Sequence, residues 1–308
     1  MSGFRLVFVG GIGRSGSTLI ERLLGEVPGV CSMGEVVHMW RRSLVDDEVC
    51  GCGEPFGRCP FWVRVGREAF GGWDRVDAAE VLELKAAVDR TRFVPALLSD
   101  DPPPDLAARA ARYTAFYDRL YRAVAAVSGC ATVVDSSKHA SLAACLRLRY
   151  GARMRLLHIV RDPRAVAHAW GKRVPRPDAR PTSPEQYMAR YSPARTAVQW
   201  MAQNGVLAAL ERGGLPTRRV RYEDFASDPL GELRAIAEFA GCGAQGLPLG
   251  ADGSAELSPA HTVSGNPMRL TSGPVRVRAD VGWRSHLAPP ARVAVSALTL
   301  PVRWRFGY

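Results

Sequence analysis

Stretches of apolar residues with strand-like and helix-like spacing alternate along most of the chain. Residues 4 to 10, FRLVFVG, form a short β-rich apolar run ending in glycines, and STLIERLLGEV after them sets Leu19, Ile20, Leu23 and Leu24 on one helical face. The pattern predicts a strand, a glycine loop and a helix, closed by Pro28. VCSM predicts a short second strand, and GEVVHMWRRSL a helix beginning at Glu35. Residues 46 to 60 read as a Cys/Gly/Pro loop. Residues 77 to 98 and 105 to 128 carry helical periodicity, separated by DDPPPD, whose prolines forbid a continuous helix. A helical insertion is therefore expected over about 46 to 128. ATVVDSSKH returns to strand and turn, followed by a helix from about Ala140 to Tyr150, the strand MRLLHIV, and a helix after RDP in which Pro163 suits the first turn.

This alternation predicts right-handed βαβ units in a parallel sheet. VPRPDARPTSP, residues 174 to 184, reads as a mobile proline-rich loop, and residues 184 to 213 as mainly helical. TRRVRYEDF supplies a further strand, and Asp228-Pro229 starts a helix reaching about Ala240. Residues 242 to 308, rich in glycine and proline, predict ordered coil draped over the sheet and one helix near 289 to 299. The expected fold class is α/β: a P-loop-like parallel sheet flanked by helices, with a helical insertion, in one domain spanning 1 to 308.

Composition narrows this picture modestly. A chain of 308 residues that is 47% hydrophobic can bury one large core or two ordinary ones. Apolar stretches such as 6 to 12 and 156 to 160 are too short to span a bilayer, and no apolar leader precedes a small-residue cleavage site. The expectation is a cytoplasmic protein without an integral membrane segment. Seven cysteines, an odd number, point to reduced thiols. The net charge of +11 is almost all arginine, since Lys85, Lys138 and Lys172 are the only lysines. Such an excess fits a polyanionic ligand, nucleic acid or an acidic membrane surface, and it also fits arginines spread over a solvated surface.

Candidate chemistry begins at GGIGRSGSTL, Gly10 to Leu19. Gly11 to Thr18 has the outline of the phosphate loop G-x-x-x-x-G-K-[ST], with Ser17 where that loop has lysine. Glycines at 10, 11, 13 and 16 let the backbone turn its N–H groups inward, and the helix beginning near Ser17 adds its positive end. Such a nest binds phosphate or sulfate. Without the lysine that reaches the β- and γ-phosphates, a triphosphate is a poor match. Arg14 offers a cation elsewhere in the loop.

GRSGSTL resembles the 5′-phosphosulfate loop of sulfotransferases that use 3′-phosphoadenosine 5′-phosphosulfate (PAPS), which carry Arg or Lys at the Arg14 position. LLHIVRDPRAVAHAW, residues 156 to 170, resembles the family's strand-turn-helix for the cofactor's 3′-phosphate, with Arg161 at the strand end. The resemblance, to bacterial members, covers nearly the whole chain and is weakest between 46 and 128. It implies PAPS as cofactor, held by Arg14, Ser15, Gly16, Ser17, Thr18 and Arg161. VRYEDFASDP would bring Tyr222 to the nucleotide. HTVSGNPMR, residues 261 to 269, resembles a late loop folding over the cofactor, which makes Asn266 and Arg269 candidate 3′-phosphate ligands. The family usually has a serine eight residues after the arginine, where this chain has Ala169; His168 or a water could take its hydrogen bond.

The implied reaction is sulfuryl transfer to a hydroxyl of a small-molecule, lipid or carbohydrate acceptor, without a metal. It needs a base, cations near the leaving oxygen and in-line geometry. Glu35 stands twenty-one residues after Arg14, the spacing at which tyrosylprotein sulfotransferases carry a catalytic glutamate, and is the expected base. His38 is the alternative, since cytosolic sulfotransferases use histidine. Lys138, in DSSKH, is placed by the resemblance beside the leaving oxygen, with Arg14 also catalytic. Asp135 could instead be a magnesium ligand in a P-loop kinase using ATP, and a non-catalytic polyanion binder is a further alternative. Nucleic acid is not an expected partner, because the cations fall in nucleotide-loop contexts and not in one run.

In CGCGEPFGRCPFW, Cys50, Cys52 and Cys59 lie close enough to share a metal with His38 or Cys31 as fourth ligand. The spacing C-x-C-x6-C is not a familiar complete zinc set, so thiols in a substrate-side loop are expected, with Pro60, Phe61 and Trp62 near an acceptor pocket. Acceptor selection is expected to lie in residues 36 to 128 and 174 to 184.

Overall fold

The computed structural model of the chain describes residues 3–99, 101–179 and 185–308. The first apolar run forms β1 (Arg5–Gly11), with Leu6 and Phe8 buried on one face and Val7 and Val9 on the other. A strand covered on both faces reads as a continuous apolar run, and this one does. It lies at the centre of a five-stranded parallel sheet with β2 (Val30–Ser32), β3 (Thr132–Lys138), β4 (Met154–Val160) and β5 (Thr217–Arg221), in the order β2-β3-β1-β4-β5. Helices flank the sheet, as the alternation predicted.

The chain builds β2 and β3 on one side of β1 and β4 and β5 on the other. Connections at the carboxyl ends of the strands therefore diverge around β1 and leave a crevice there, the place where open α/β sheets bind ligands. The Leu6/Phe8 face is covered by helices Pro60–Phe70, Ala78–Val88 and Pro104–Ser128, where Tyr113, Tyr117 and Tyr121 are buried at successive turns beside Trp40 and Trp62. The Val7/Val9 face is covered by Ile20, Leu23 and Leu24 of helix Ser17–Gly25 and by Leu233 and Ile236 of helix Pro229–Ala240.

Several boundaries differ from the sequence reading. Pro60–Phe70 is a helix with proline at its first position, in a stretch read only as the flank of a loop. The segment after Glu35 is a 3₁₀ turn, Val36–His38, and one α-turn, Met39–Arg42. The turn is tied down by tertiary partners: Glu35 N–H donates to the Val263 carbonyl at 2.8 Å and Val37 N–H to Ser137 Oγ at 2.9 Å. β5 stops at Arg221, and Tyr222 opens the short helix Tyr222–Ser227. Helix Pro193–Arg212 starts on its Ser192 cap, later than read. Residues 180–184 of the proline-rich stretch lie outside the described residues. The last seventy residues also hold an antiparallel pair, β6 (Ser254–Leu257) and β7 (Gly273–Arg276), and the final helix runs Pro289–Arg303. Among the described residues no helix is long and apolar enough to cross a membrane.

Candidate active site

The glycine loop leaves β1 with Arg14 (φ 73°) and Gly16 (φ 84°) in the left-handed region, a conformation that helps turn successive N–H groups to one side. Helix Ser17–Gly25 starts on Gly16 without a side-chain cap, so the Ser17 and Thr18 N–H groups remain available to an anion. Two aromatics press on the loop. A Cβ on Gly13 would lie 2.7 Å from Trp170 Cζ2, and the Tyr222 ring occupies the space a side chain on Gly16 would need. Trp170 donates its indole N–H to the Gly13 carbonyl at 2.9 Å, and the Arg14 guanidinium lies over its ring at 5.4 Å. Burial holds Arg14 below the ordinary arginine range, with Glu35 opposing that shift.

The ends of the other strands close on this loop. Arg161, directly after β4, donates to the carbonyls of Arg14 and Asp280, both at 3.0 Å, and stacks over Tyr222 at 4.4 Å. Its guanidinium also pairs with Asp280 Oδ2 at 3.1 Å, and Lys172 lies 3.7 Å from the same oxygen. Burial would raise the Asp280 carboxyl, but Arg161 and then Lys172 outweigh it and hold the group below the usual carboxylate range. Tyr222 OH donates to the Arg278 carbonyl at 3.1 Å. These contacts bind the chain at 278–280 to the mouth of the site.

On the opposite side, the register of β3 against β1 shifts between Phe8 and Gly10, and Lys138 adopts φ 67°. Its ammonium is ion-paired with Glu35 Oε1. His38 Nε2 lies 3.6 Å from Glu35 Oε2. Burial first, then the charges of His139 and Lys85, hold His38 well below the ordinary histidine range, so its imidazole is neutral at pH 7. Glu21 fixes the turn that carries Glu35: fully enclosed, it accepts from Ser136 Oγ at 2.5 Å, from Gly34 N–H at 2.7 Å and from Ser32 Oγ.

Two adjoining cavities result. The first, about 350 Å³, is lined by Arg14, Gly16, Ser17, Thr18, Arg161, Tyr222, Asn266 and Ala169. The second, about 520 Å³, is lined by His38, Arg42, His139, Tyr187 and Gln203 together with the apolar Ile12, Met188 and Ala202. Glu35, Lys138 and Trp170 line both. Arg14 Nη2 and Arg161 Nε are buried with no hydrogen-bond partner among the described residues, an arrangement suited to an anion in the first cavity. His168 does not line that cavity; its ring stacks on His286 at 5.9 Å.

Other expected ligands lie elsewhere. Ser15 is fully buried, its hydroxyl unpartnered among the described residues, and it lines neither cavity. Arg269 is 1% exposed and donates to the carbonyls of Thr262 at 3.1 Å and Val49 at 2.7 Å and to Asp178 Oδ2 at 2.9 Å. A guanidinium spent in this way braces the late loop and does not reach the cavity. Asp135, the magnesium ligand of the kinase reading, is fully buried beneath the sheet end. One oxygen accepts from Tyr121 OH at 2.5 Å and the other from Ser137 N–H at 2.7 Å and Ser137 Oγ at 2.5 Å. Cys50, Cys52 and Cys59 gather with His261, not with His38 or Cys31.

Sequence reasoning missed Trp170, Asp280 and Glu21. Trp170 closes the quoted Arg161 motif, and its position there was the available signal. Glu21 carried one too, an acid among the apolar positions of the first helix. Asp280 sits in a coil without a pattern.

No protein-family model matches the chain, and no curated protein matches it. Among solved structures it is similar to the sulfotransferase domain of the olefin synthase from Synechococcus PCC 7002, with 19% identity and a TM-score of 0.51 over 100% of this chain and 96% of that one. A sulfotransferase from Alicyclobacillus acidocaldarius aligns at 14% identity and a TM-score of 0.39 over 96% of this chain and 95% of that one. With its five-stranded parallel sheet and carboxyl-end crevice, the chain shares the fold of that cyanobacterial sulfotransferase domain.

Proposed function

We propose that the protein is a sulfotransferase that moves the sulfuryl group of PAPS to a hydroxyl of a polar small-molecule or carbohydrate acceptor. The single observation that carries this reading is the placement of Glu35 and Lys138 on the wall shared by two cavities, one rich in anion-binding groups and one lined by neutral and charged polar side chains. When bound, the donor supplies an activated sulfuryl group on a phosphate leaving group. Arg14, Ser17, Thr18 and the helix N-terminus would hold its 5′ end, Arg161 its 3′-phosphate, and the Tyr222 side its nucleoside. Asn266 lines the same cavity, but its side-chain oxygen accepts from Met268 N–H at 3.0 Å, leaving its amide N–H₂ for the nucleotide.

Glu35, ion-paired with the Lys138 ammonium, would accept the acceptor's proton as the oxygen attacks sulfur. Lys138 would then face the negative charge that gathers on the departing phosphate oxygen as the S–O bond breaks. Both roles are electrostatic and positional, the kind of assistance that in-line transfer of a charged group uses. The charged and polar groups of the second cavity, His38, Arg42, His139 and Gln203, support a hydroxyl-rich acceptor over a lipid, although Ile12, Met188 and Tyr191 also line it. The fate of Asp135, with both oxygens engaged inside the sheet, counts against the kinase reading.

The test is calorimetry with 3′-phosphoadenosine 5′-phosphate, adenosine 5′-phosphate and ATP. The reading expects the bisphosphate to bind at least tenfold tighter than adenosine 5′-phosphate, an advantage that Arg161→Ala removes. Equal affinities for the two, or a Mg²⁺-dependent preference for ATP, would overturn it.

A further inference from the structure

Three thiols and one imidazole converge on a point outside the cavities. The donor atoms Cys50 Sγ, Cys52 Sγ, Cys59 Sγ and His261 Nδ1 all lie within 4.8 Å of one another. Cys59 Sγ is 3.3 Å from His261 Nδ1, Cys50 Sγ is 3.9 Å from it, and Cys52 Sγ is 3.7 Å from Cys59 Sγ. A tetrahedral zinc with ordinary bond lengths separates its sulfurs by about 3.8 Å and sulfur from nitrogen by about 3.6 Å. These three separations lie close to those of a filled coordination shell.

The surrounding backbone is built to hold these atoms. Cys50 and Cys52 sit on a tight turn in which Cys50 N–H donates to the Glu54 carbonyl at 2.8 Å and Gly53 N–H to the Cys50 carbonyl at 2.9 Å. Between them, Gly51 N–H donates to the Thr262 carbonyl at 2.8 Å, and a side chain on Gly51 would lie 2.6 Å from Thr262 Oγ1. Only glycine lets the turn approach the His261 strand so closely. Phe61 stacks on the His261 ring at 4.9 Å and 8°, and Trp62 donates its indole N–H to the His261 carbonyl at 3.0 Å. Cys50 and Cys59 are buried.

We infer that Cys50, Cys52, Cys59 and His261 form a closed structural zinc site that staples the late loop to the Cys/Gly turn. Four protein ligands leave no open position for catalysis, and thiolate with imidazole selects zinc over harder cations. The ion bridges residues 202 positions apart in the chain. The stapled strand continues to Val263, whose carbonyl accepts Glu35 N–H at 2.8 Å and whose N–H donates to Met33. Zinc thus braces the backbone on which Glu35 rests, whatever reaction Glu35 serves.

The experiment is metal analysis of the full chain purified under reducing conditions, followed by exchange of the metal for Co²⁺. About one zinc per chain is expected, and the cobalt form should show the visible bands and thiolate charge transfer of a tetrahedral site. Cys59→Ser and His261→Ala should each weaken cobalt binding by more than the roughly 10–100-fold that loss of an outer-shell partner costs, while Cys130→Ser, outside the cluster, leaves it unchanged. If the variants do not fold, the wild-type cobalt spectrum decides alone. A reduced chain that carries no zinc and takes up no cobalt, or one whose stable form is a Cys52–Cys59 disulfide that still refuses metal after reduction, would overturn the inference.

Discussion

Asp280 Oδ2 lies 3.1 Å from the Arg161 guanidinium, so the cation expected to grip a phosphate already holds a carboxylate. An arriving phosphate would have to displace that oxygen or share the guanidinium with it, against like-charge repulsion. Asp280→Asn keeps the shape and removes the charge. Because the Asp280 side chain is 40% exposed, the gain is modest: binding of 3′-phosphoadenosine 5′-phosphate should tighten by a few-fold, ~1 kcal/mol or less. Calorimetry at two salt concentrations checks this, and weaker binding in the variant would show that Asp280 supports the site and does not compete with its ligand.

Substituting Glu35 should separate binding from transfer. Glu35→Gln leaves the anion-binding groups in place and removes a negative charge near Arg14, so nucleotide affinity should stay level or rise. Turnover should fall by roughly 10²–10⁴-fold, the usual contribution of a positioned base. His38→Asn should cost much less, because His38 touches Glu35 but is neutral. If Glu35→Gln turns over normally and His38→Asn does not, the base is the histidine.

Gly16→Ala should act twice. At φ 84° a Cβ is strained, by about 1–2 kcal/mol, and the Tyr222 ring stands where the methyl would go. Gly29 has φ 79° and open space around it, so Gly29→Ala carries the backbone strain alone. Both variants should lose stability in urea unfolding, Gly16→Ala by more, and only Gly16→Ala should lose nucleotide affinity. Equal effects of the two on binding would separate Tyr222 from the site.

How much of this was legible in the sequence follows from where the information sits. β1, the glycine loop, helix Ser17–Gly25 and β4 were readable because burial on both faces writes continuous apolar runs, and tight turns write glycine. Arg14, Arg161 and Glu35 follow strand ends and Lys138 closes β3, so naming the strands located them. Arg269 misled because a cation in a loop reads identically whether it meets a ligand or, as here, Asp178 and two carbonyls. His261 could not be paired with Cys59 by spacing, since the 202 intervening positions carry no distance information. β6 and β7 are four residues each, too short for the alternation of buried Ala255 and Leu257 in β6 to stand out.

Asp135 gives a test of the buried network under the site that involves no ligand. Burial is the largest influence on it and raises its carboxyl from 3.8 to about 6, although hydrogen bonds from Ser137 and Tyr121 pull the other way. An acid whose folded value lies above its unfolded one keeps its proton longer in the folded state. Its contribution to stability is therefore greatest below pH 3.8, declines as pH rises to about 6, and is constant above. The span corresponds to roughly 3 kcal/mol. Asp135→Asn retains an acceptor for Ser137 N–H and cannot titrate. The stability of wild type relative to Asp135→Asn should therefore fall between pH 4.5 and 6.5, by up to ~2 kcal/mol in urea unfolding followed at several pH values. A flat stability difference would show that Asp135 titrates as an ordinary acid.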